Sequence, residues 1–163
     1  MEGVEIMVSE DLIREAVENY ADDLYRVCLV MLKNTADAED AVQDSFITYM
    51  QKAPRFNSSE HEKAWLIRVA CNKCHDMIRY RDRHSTVSDE LLESYFVEES
   101  DSAVIDALME VPEKYRIVLS LHYIEGYKVD EIAEMIGRSP SAVKMRLSKG
   151  RKKLEEKYRK GYM

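Results

Sequence analysis

Glycine, proline and cysteine are all scarce in this chain, with five, three and three residues among 163. So few chain breakers leave little room for the tight turns of an all-β fold, and no Val/Ile/Thr-rich stretch alternates with period two. Three cysteines (Cys28, Cys71 and Cys74) cannot build a disulfide framework. No apolar run approaches the roughly 20 residues a membrane span requires, so no membrane insertion is expected. Met1 to Glu10 is acidic and lacks the basic-then-apolar order of a secretion signal, which points to a cytoplasmic protein with free thiols. Gly-rich phosphate loops, H-E-x-x-H helices and nucleophile elbows are missing too. The paired acids Asp22-Asp23 and Glu39-Asp40 fall on expected solvent faces. A protein that is not an enzyme and has no cofactor or metal is the expectation.

What is abundant is charge, and its distribution matters more than its sum. The net charge of −7 argues against a nucleic-acid partner at first sight. Acids dominate Met1–Leu24, with Arg14 the lone base, and they are the only charged residues in Ser85–Asp106. Two segments go the other way. His61–His84 carries Lys63, Arg68, Lys73, Arg79, Arg81 and Arg83, and Arg138–Lys160 carries ten bases against Glu155 and Glu156. Two basic blocks in an otherwise acidic chain suggest two surfaces that face polyanions, the alternative being solvated helix faces.

Nearly every segment has helical periodicity, so the expected fold is all-α: two small helical domains joined by an acidic linker, the second containing a helix-turn-helix. The expected bounds are 9–83, 84–102 and 103–160. In the first domain Ile13, Val17, Tyr20 and Leu24 keep a helical period up to a break at Asn34-Thr35, with Thr35 or Asp37 expected as the cap of a helix over Ala38–Gln51. Pro54 stops that helix. A long helix over Glu62–Arg81 then buries Ile67, Ala70, Cys71, Cys74, Met77 and Ile78 and turns Arg68, Asn72, Arg79 and Arg83 outward. In the second domain a helix is expected from Pro112 to Glu125, with Gly126 just past its end.

Val129–Leu147 has the form of a helix-turn-helix. Ile132, Met135 and Ile136 face inward on its first helix, Val143 and Leu147 on its second, and Gly137 stands at the turn. Ser139-Pro140 is a cap followed by proline at the first helical position. Ser141, Ala142, Lys144, Met145, Ser148 and Lys149 then point outward, small residues suiting close approach to bases and cations suiting phosphates. Cys71-Asn-Lys-Cys74-His75 matches the C-x-x-C-H pattern of haem attachment, but both cysteines lie on the inward stripe of a periodic helix. There cysteine acts as a small hydrophobe, and burial is preferred to a haem or zinc role.

Three strings then resemble one family in register. Asp37-Ala-Glu-Asp-Ala-Val-Gln-Asp-Ser-Phe46 resembles the core-binding helix of bacterial sigma factors, and Lys63-Ala-Trp-Leu-Ile-Arg-Val-Ala-Cys-Asn-Lys-Cys-His-Asp-Met-Ile-Arg79 their promoter-melting helix. Val111-Pro-Glu-Lys-Tyr-Arg116, Tyr127-Lys-Val-Asp-Glu-Ile-Ala133 and Ser141–Leu154 are similar to their C-terminal DNA-binding domain. Order and spacing resemble the two-domain extracytoplasmic-function group of the sigma-70 family. The resemblance implies that Asp37, Glu39, Asp40, Gln43 and Asp44 meet the clamp helices of RNA polymerase core, with Phe46 mostly in the core. It implies minus-ten promoter contacts from Asn57, Ser58, His61, Lys63, Arg68, Asn72, Arg79 and Arg83, with Trp65 placed in the core rather than stacked on a base. It implies minus-thirty-five contacts from Ser139, Ser141, Ala142, Lys144, Met145, Ser148, Lys149 and Arg151, and a flap contact from the helix carrying Leu119, Leu121 and Tyr123. An anti-sigma partner is implied as well.

Two other classes compete. A conventional helix-turn-helix regulator would not need the second basic face at Arg68–Arg83 and would dimerise on a palindromic site. An interaction module that imitates a sigma factor would not need intact basic faces.

Overall fold

The computed structural model describes residues 8–84 and 99–162, and among these every regular element is a helix. The first set comprises α1 (Glu10–Leu32), α2 (Thr35–Lys52) and α3 (Ser59–His84), and the second α4 (Glu99–Glu110), α5 (Glu113–Leu119), α6 (Val129–Ile136) and α7 (Pro140–Tyr162). Most of the expected acidic linker 84–102 lies outside the described residues, although α4 already begins at Glu99.

The start of each helix follows from local chemistry. Ser9 Oγ accepts from Leu12 N–H at 3.3 Å, and Glu10 and Asp11 place negative charge at the positive end of α1. Lys33 ends α1 in the left-handed region at φ 58°, and Asn34 Oδ1 accepts from Asp37 N–H at 2.8 Å. Asn34 is therefore the cap of α2. Neither Thr35 nor Asp37 fills that place, because the left-handed turn ends α1 one residue earlier and both fall inside the new helix. The helix expected over Pro112–Glu125 is α5 followed by a π-helical turn at Ser120–Ile124, where Glu125 N–H bonds Ser120 O at 3.0 Å. Gly126 follows at φ +77°.

The first set packs α1, α2 and α3 around Tyr20, Leu24, Ala38, Ala41, Tyr49, Leu66, Ile67 and Ala70, all buried. Val17 keeps the helical period but is 38% exposed, at the margin of the packed face rather than in it. At the end of α1, by contrast, Val27, Cys28, Leu29, Val30, Met31 and Leu32 are each no more than 1% exposed. A helix buried on every side needs neighbours on every side. Besides α2 and α3, α1 packs against α5, so the two sets share one apolar core.

Burial keeps several acids of the alkaline range neutral. The Tyr20 hydroxyl is pushed up to about 12, first by burial and then by Glu62. Burial, then Glu62 across a 2.9 Å hydrogen bond, raises Tyr49 further, and burial raises Tyr127 and the Cys71 thiol. Groups with raised folded values contribute stability that is complete below their ordinary pKa and lost as pH climbs through the folded value. Arg116, lowered to about 10 by burial, and Arg146, also lowered by burial, pull the other way, but the raised groups outnumber them. The urea midpoint is thus expected to hold from about pH 6 to 8.5 and fall steadily above about pH 9.5. A midpoint at about pH 11 equal to that at neutral pH contradicts this account.

Candidate nucleic-acid interface

The helix-turn-helix is built from α6, the turn Gly137–Ser139 and the first part of α7. Glu131 Oε1 accepts from Lys128 N–H at 3.0 Å at the start of α6, half of a capping box. Gly137 adopts φ +68°, where any side chain is strained, which is why this turn takes glycine. Ser139 Oγ accepts from Ala142 N–H at 3.1 Å, so its side chain caps the start of α7. Val143 and Leu147 are buried, while Ser141, Lys144, Met145, Ser148, Lys149 and Arg151 are exposed and Ala142 is half-buried. α7 lies close to α5 at Gly150, where an added Cβ would stand 3.2 Å from Leu119 Cδ1 and from Tyr115 Cβ. Leu119 and Leu121 are buried in this packing, which withdraws them from the expected flap contact; Tyr123, 57% exposed, keeps its ring outside and its hydroxyl accepts from Arg151 at 3.1 Å.

On α3, Arg68, Asn72 and Arg79 form an exposed face opposite the buried Ile67, Ala70, Cys71 and Cys74. The side chain of Arg83 lies outside the described residues. Cys74 is held as a thiol first by a hydrogen bond with Cys28 and then by burial, as expected of core cysteines. In front of α3, Asn57 N–H donates to His61 Nδ1 at 3.3 Å, and His61 N–H donates to Ser58 Oγ at 3.1 Å. Phe56, Tyr49 and Trp65 cluster behind that loop with ring centres 5.7–6.1 Å apart, leaving Trp65 half-buried. On α2, Glu39, Asp40, Gln43 and Asp44 are exposed in one acidic band, whereas Asp37 is tied to Arg81 at 2.7 Å. Phe46 is buried, as expected.

What sequence patterns did not reveal is how the two sets meet. Arg116 is 6% exposed and reaches the last carbonyls of two helices, donating to Val30 O and to Met31 O (3.0 Å) of α1, to Met109 O (3.4 Å) of α4 and to Val111 O (3.0 Å) just beyond it. Neither α1 nor α4 has a base in its own last turn, so Arg116 supplies the cation that both negative helix ends lack. The signal was an arginine in the otherwise apolar run Tyr115–Leu119. A second link runs from Glu125, whose side chain is 2% exposed, to Arg26 at 2.8 and 3.1 Å, from Arg26 to Asp23 and from Asp23 to Lys63 at 3.3 Å. Lys63, expected at DNA, is therefore spent on Asp23 and lies 5.9 Å from the Tyr127 ring centre.

α6 crosses α3. Ser58, Glu60, His61, Trp65 and Arg68 share a cavity of about 300 Å³ with Glu131, Glu134 and Met135 of α6. Asn72, His75, Asp76 and Arg79 share another of about 360 Å³ with Ile136, Arg138 and Arg146. The expected minus-ten face thus looks at the helix-turn-helix, while the outer face of α7 stays open to solvent.

Comparison with known proteins agrees with this layout. The model of sigma-70 region 2 matches residues 16–84, and that of sigma-70 region 4 matches residues 101–154. The chain belongs to the sigma-70 family. Within it, the two-region layout is that of the extracytoplasmic-function group. Similar relatives are the ECF RNA polymerase sigma factors SigW and SigM of Bacillus subtilis, each 29% identical, covering 92% and 91% of this chain and 90% and 96% of their own length. The fold is shared with the sigma factor RpoE from Bartonella quintana in complex with the anti-sigma factor NepR (TM-score 0.75, 20% identity, 93% of this chain and 98% of that one). It is shared also with CnrH in complex with the cytosolic domain of CnrY (TM-score 0.67, 23% identity, 91% of this chain and 88% of that one).

Proposed function

We propose that this sigma factor binds RNA polymerase core through α2, reads the minus-thirty-five element with α7 and holds the opened minus-ten element on α3. It acts by binding, not catalysis, in the cytoplasm, with residues 9–83 and 103–160 as its two working parts and 84–102 as the connection. The observation that carries this reading is the pair of separate basic faces, Arg68–Asn72–Arg79 on α3 and Lys144–Lys149–Arg151 on α7, in a chain with net charge −7. Neither face suffices alone. Tethering both to one polymerase makes the second DNA contact effectively intramolecular. A conventional regulator has no use for the α3 face.

The two elements are about 25 base pairs apart by name, roughly 85 Å of duplex at about 3.4 Å per step. Arg79 and Arg146 line one cavity here. Reading both elements therefore requires the two sets to part, and contacts with the polymerase must supply the difference in free energy between the closed and parted states. The closed packing is imperfect: the Tyr127 hydroxyl is buried without a hydrogen-bond partner, which favours separation by about 1–3 kcal/mol. An anti-sigma partner would act by prolonging the closed state or covering the same faces.

Run-off transcription with purified core polymerase on fragments including the gene's own upstream region tests this. Start sites that need the added protein are expected, and they should vanish with Arg68→Ala/Asn72→Ala. Association with core but no start site on any fragment would leave only an interaction module. Absence of association would favour the conventional regulator.

A further inference from the structure

The two cavities between α3 and the helix-turn-helix differ in charge. In the first, Arg68 of one set shares the space with Glu131 and Glu134 of the other, so the cation meets acids inside the protein. The second gathers Arg79 from α3, Arg138 from the turn and Arg146 from α7, with His75 alongside. Among the described residues its only carboxylate is Asp76, which already sits 3.8 Å from Arg79. Among the described residues, neither the Arg138 nor the Arg146 guanidinium has an ion-pair or hydrogen-bond partner. His75 is engaged with Glu113 at 3.3 Å. Burial and then Arg138 lower the Arg146 guanidinium, a sign that bringing these cations together is unfavourable as the cavity stands.

The recognition face does not explain Arg138 and Arg146. Arg146 is half-buried beside the buried Val143 and Leu147, whereas Lys144, Met145 and Lys149 are exposed. Like charges converge from α3, the turn and α7, and something of opposite charge is needed to make that arrangement favourable. Guanidinium groups are planar forks that match phosphate oxygens two at a time. Three of them against one carboxylate leave an excess of two positive charges, which suits a diphosphate better than a single phosphate. The volume of about 360 Å³ is at the lower end of small-molecule sites and admits a diphosphate with part of its substituent. The crossing of α6 over α3 makes the cavity too confined for a duplex.

We infer that the cavity lined by Arg79, Arg138 and Arg146 binds a diphosphate-bearing anion such as a nucleoside diphosphate, which bridges the two helical sets and latches them closed. A ligand touching both sets binds only when they are together, so it favours the closed state by its full affinity and opposes engagement of the polymerase. The inference rests on the closed packing and does not need the sigma-factor reading of Arg79.

The test uses the full chain without polymerase. Titration calorimetry with pyrophosphate and with adenosine diphosphate, at constant ionic strength, is expected to show one site, with inorganic phosphate and sulfate at least tenfold weaker. Arg138→Gln/Arg146→Gln should weaken diphosphate binding tenfold or more, whereas Lys152→Gln/Lys157→Gln, the same charge change elsewhere on α7, should leave it unchanged. Diphosphate should also raise the melting temperature of the wild-type chain and not that of Arg138→Gln/Arg146→Gln, whose own melting curve shows that it folds. No binding to the wild-type chain overturns the proposal, as does equal weakening by the Lys152/Lys157 variant, which would mean diffuse attraction to a basic helix. Binding of a single-stranded oligonucleotide that depends on Arg138 and Arg146, with none of diphosphate, assigns the cavity to the DNA track and overturns it too. In run-off transcription, diphosphate should slow formation of the polymerase complex for wild type only. Equal rates with and without diphosphate for the wild type overturn the latch.

Discussion

Replacing Arg116 with alanine is expected to destabilise the protein by about 3–5 kcal/mol, measured by urea unfolding of the full chain. The side chain donates to four backbone carbonyls, at the ends of α1 and α4, and it is almost wholly buried. Its removal leaves carbonyls that neither water nor another side chain reaches, and each unsatisfied buried group costs about 1–3 kcal/mol. Burial lowers the guanidinium to about 10, still well above neutral pH, so the charge remains and strengthens each hydrogen bond. Lysine at the same place keeps the charge but has one nitrogen instead of three, and should recover less than half of the loss. Because one guanidinium serves both sets, the alanine variant should lose protection from hydrogen exchange at the end of α1 as well as around α4 and α5. A loss below about 1 kcal/mol, or one confined to the second set, would show that the bonds to Val30 and Met31 contribute nothing.

Reversing the acidic band of α2 with Asp40→Lys/Asp44→Lys should weaken binding to core polymerase by about 100-fold and abolish start-site-dependent transcription. The unfolding midpoint should hardly move. Both residues are exposed and neither has an ion-pair partner among the described residues, so nothing inside the protein is lost. Across an interface the reversal replaces attraction with like-charge contact, worth several kcal/mol. Asp37 offers the contrast: it is tied to Arg81 at 2.7 Å, so Asp37→Ala should show up in stability as well as in affinity. Unchanged affinity for core in the Asp40/Asp44 double variant, measured at low and moderate salt, would remove α2 from the polymerase contact.

Much of this was legible along the chain because it depends on neighbours within one or two helical turns. Period 3.6 places Cys71 and Cys74 in the core and Arg68, Asn72 and Arg79 outside, and the structure has them there. Ser9, Gly137 and Ser139-Pro140 mark helix boundaries by local chemistry alone. The cap at Asn34 escaped because three residues within four positions, Asn34, Thr35 and Asp37, can each cap a helix, and the choice among them was made by where Lys33 turned left-handed. Leu119 and Leu121 escaped because their flap role came from the resemblance, whereas the structure buries both in the core, Leu119 against Gly150 of α7.

The all-α class, the helix-turn-helix, the inward and outward faces and the two basic blocks were determined by the sequence itself, through capping, helical period and charge. Tertiary structure alone decided that α1 ends inside a second layer, that Arg116 closes α4 and also reaches back 85 residues to Met31 at the end of α1, and that Arg79 meets Arg138 and Arg146. Those facts depend on residues far apart in the chain, brought together by the burial of Val27–Leu32, a run that is apolar all round and so demands cover without saying which helix provides it.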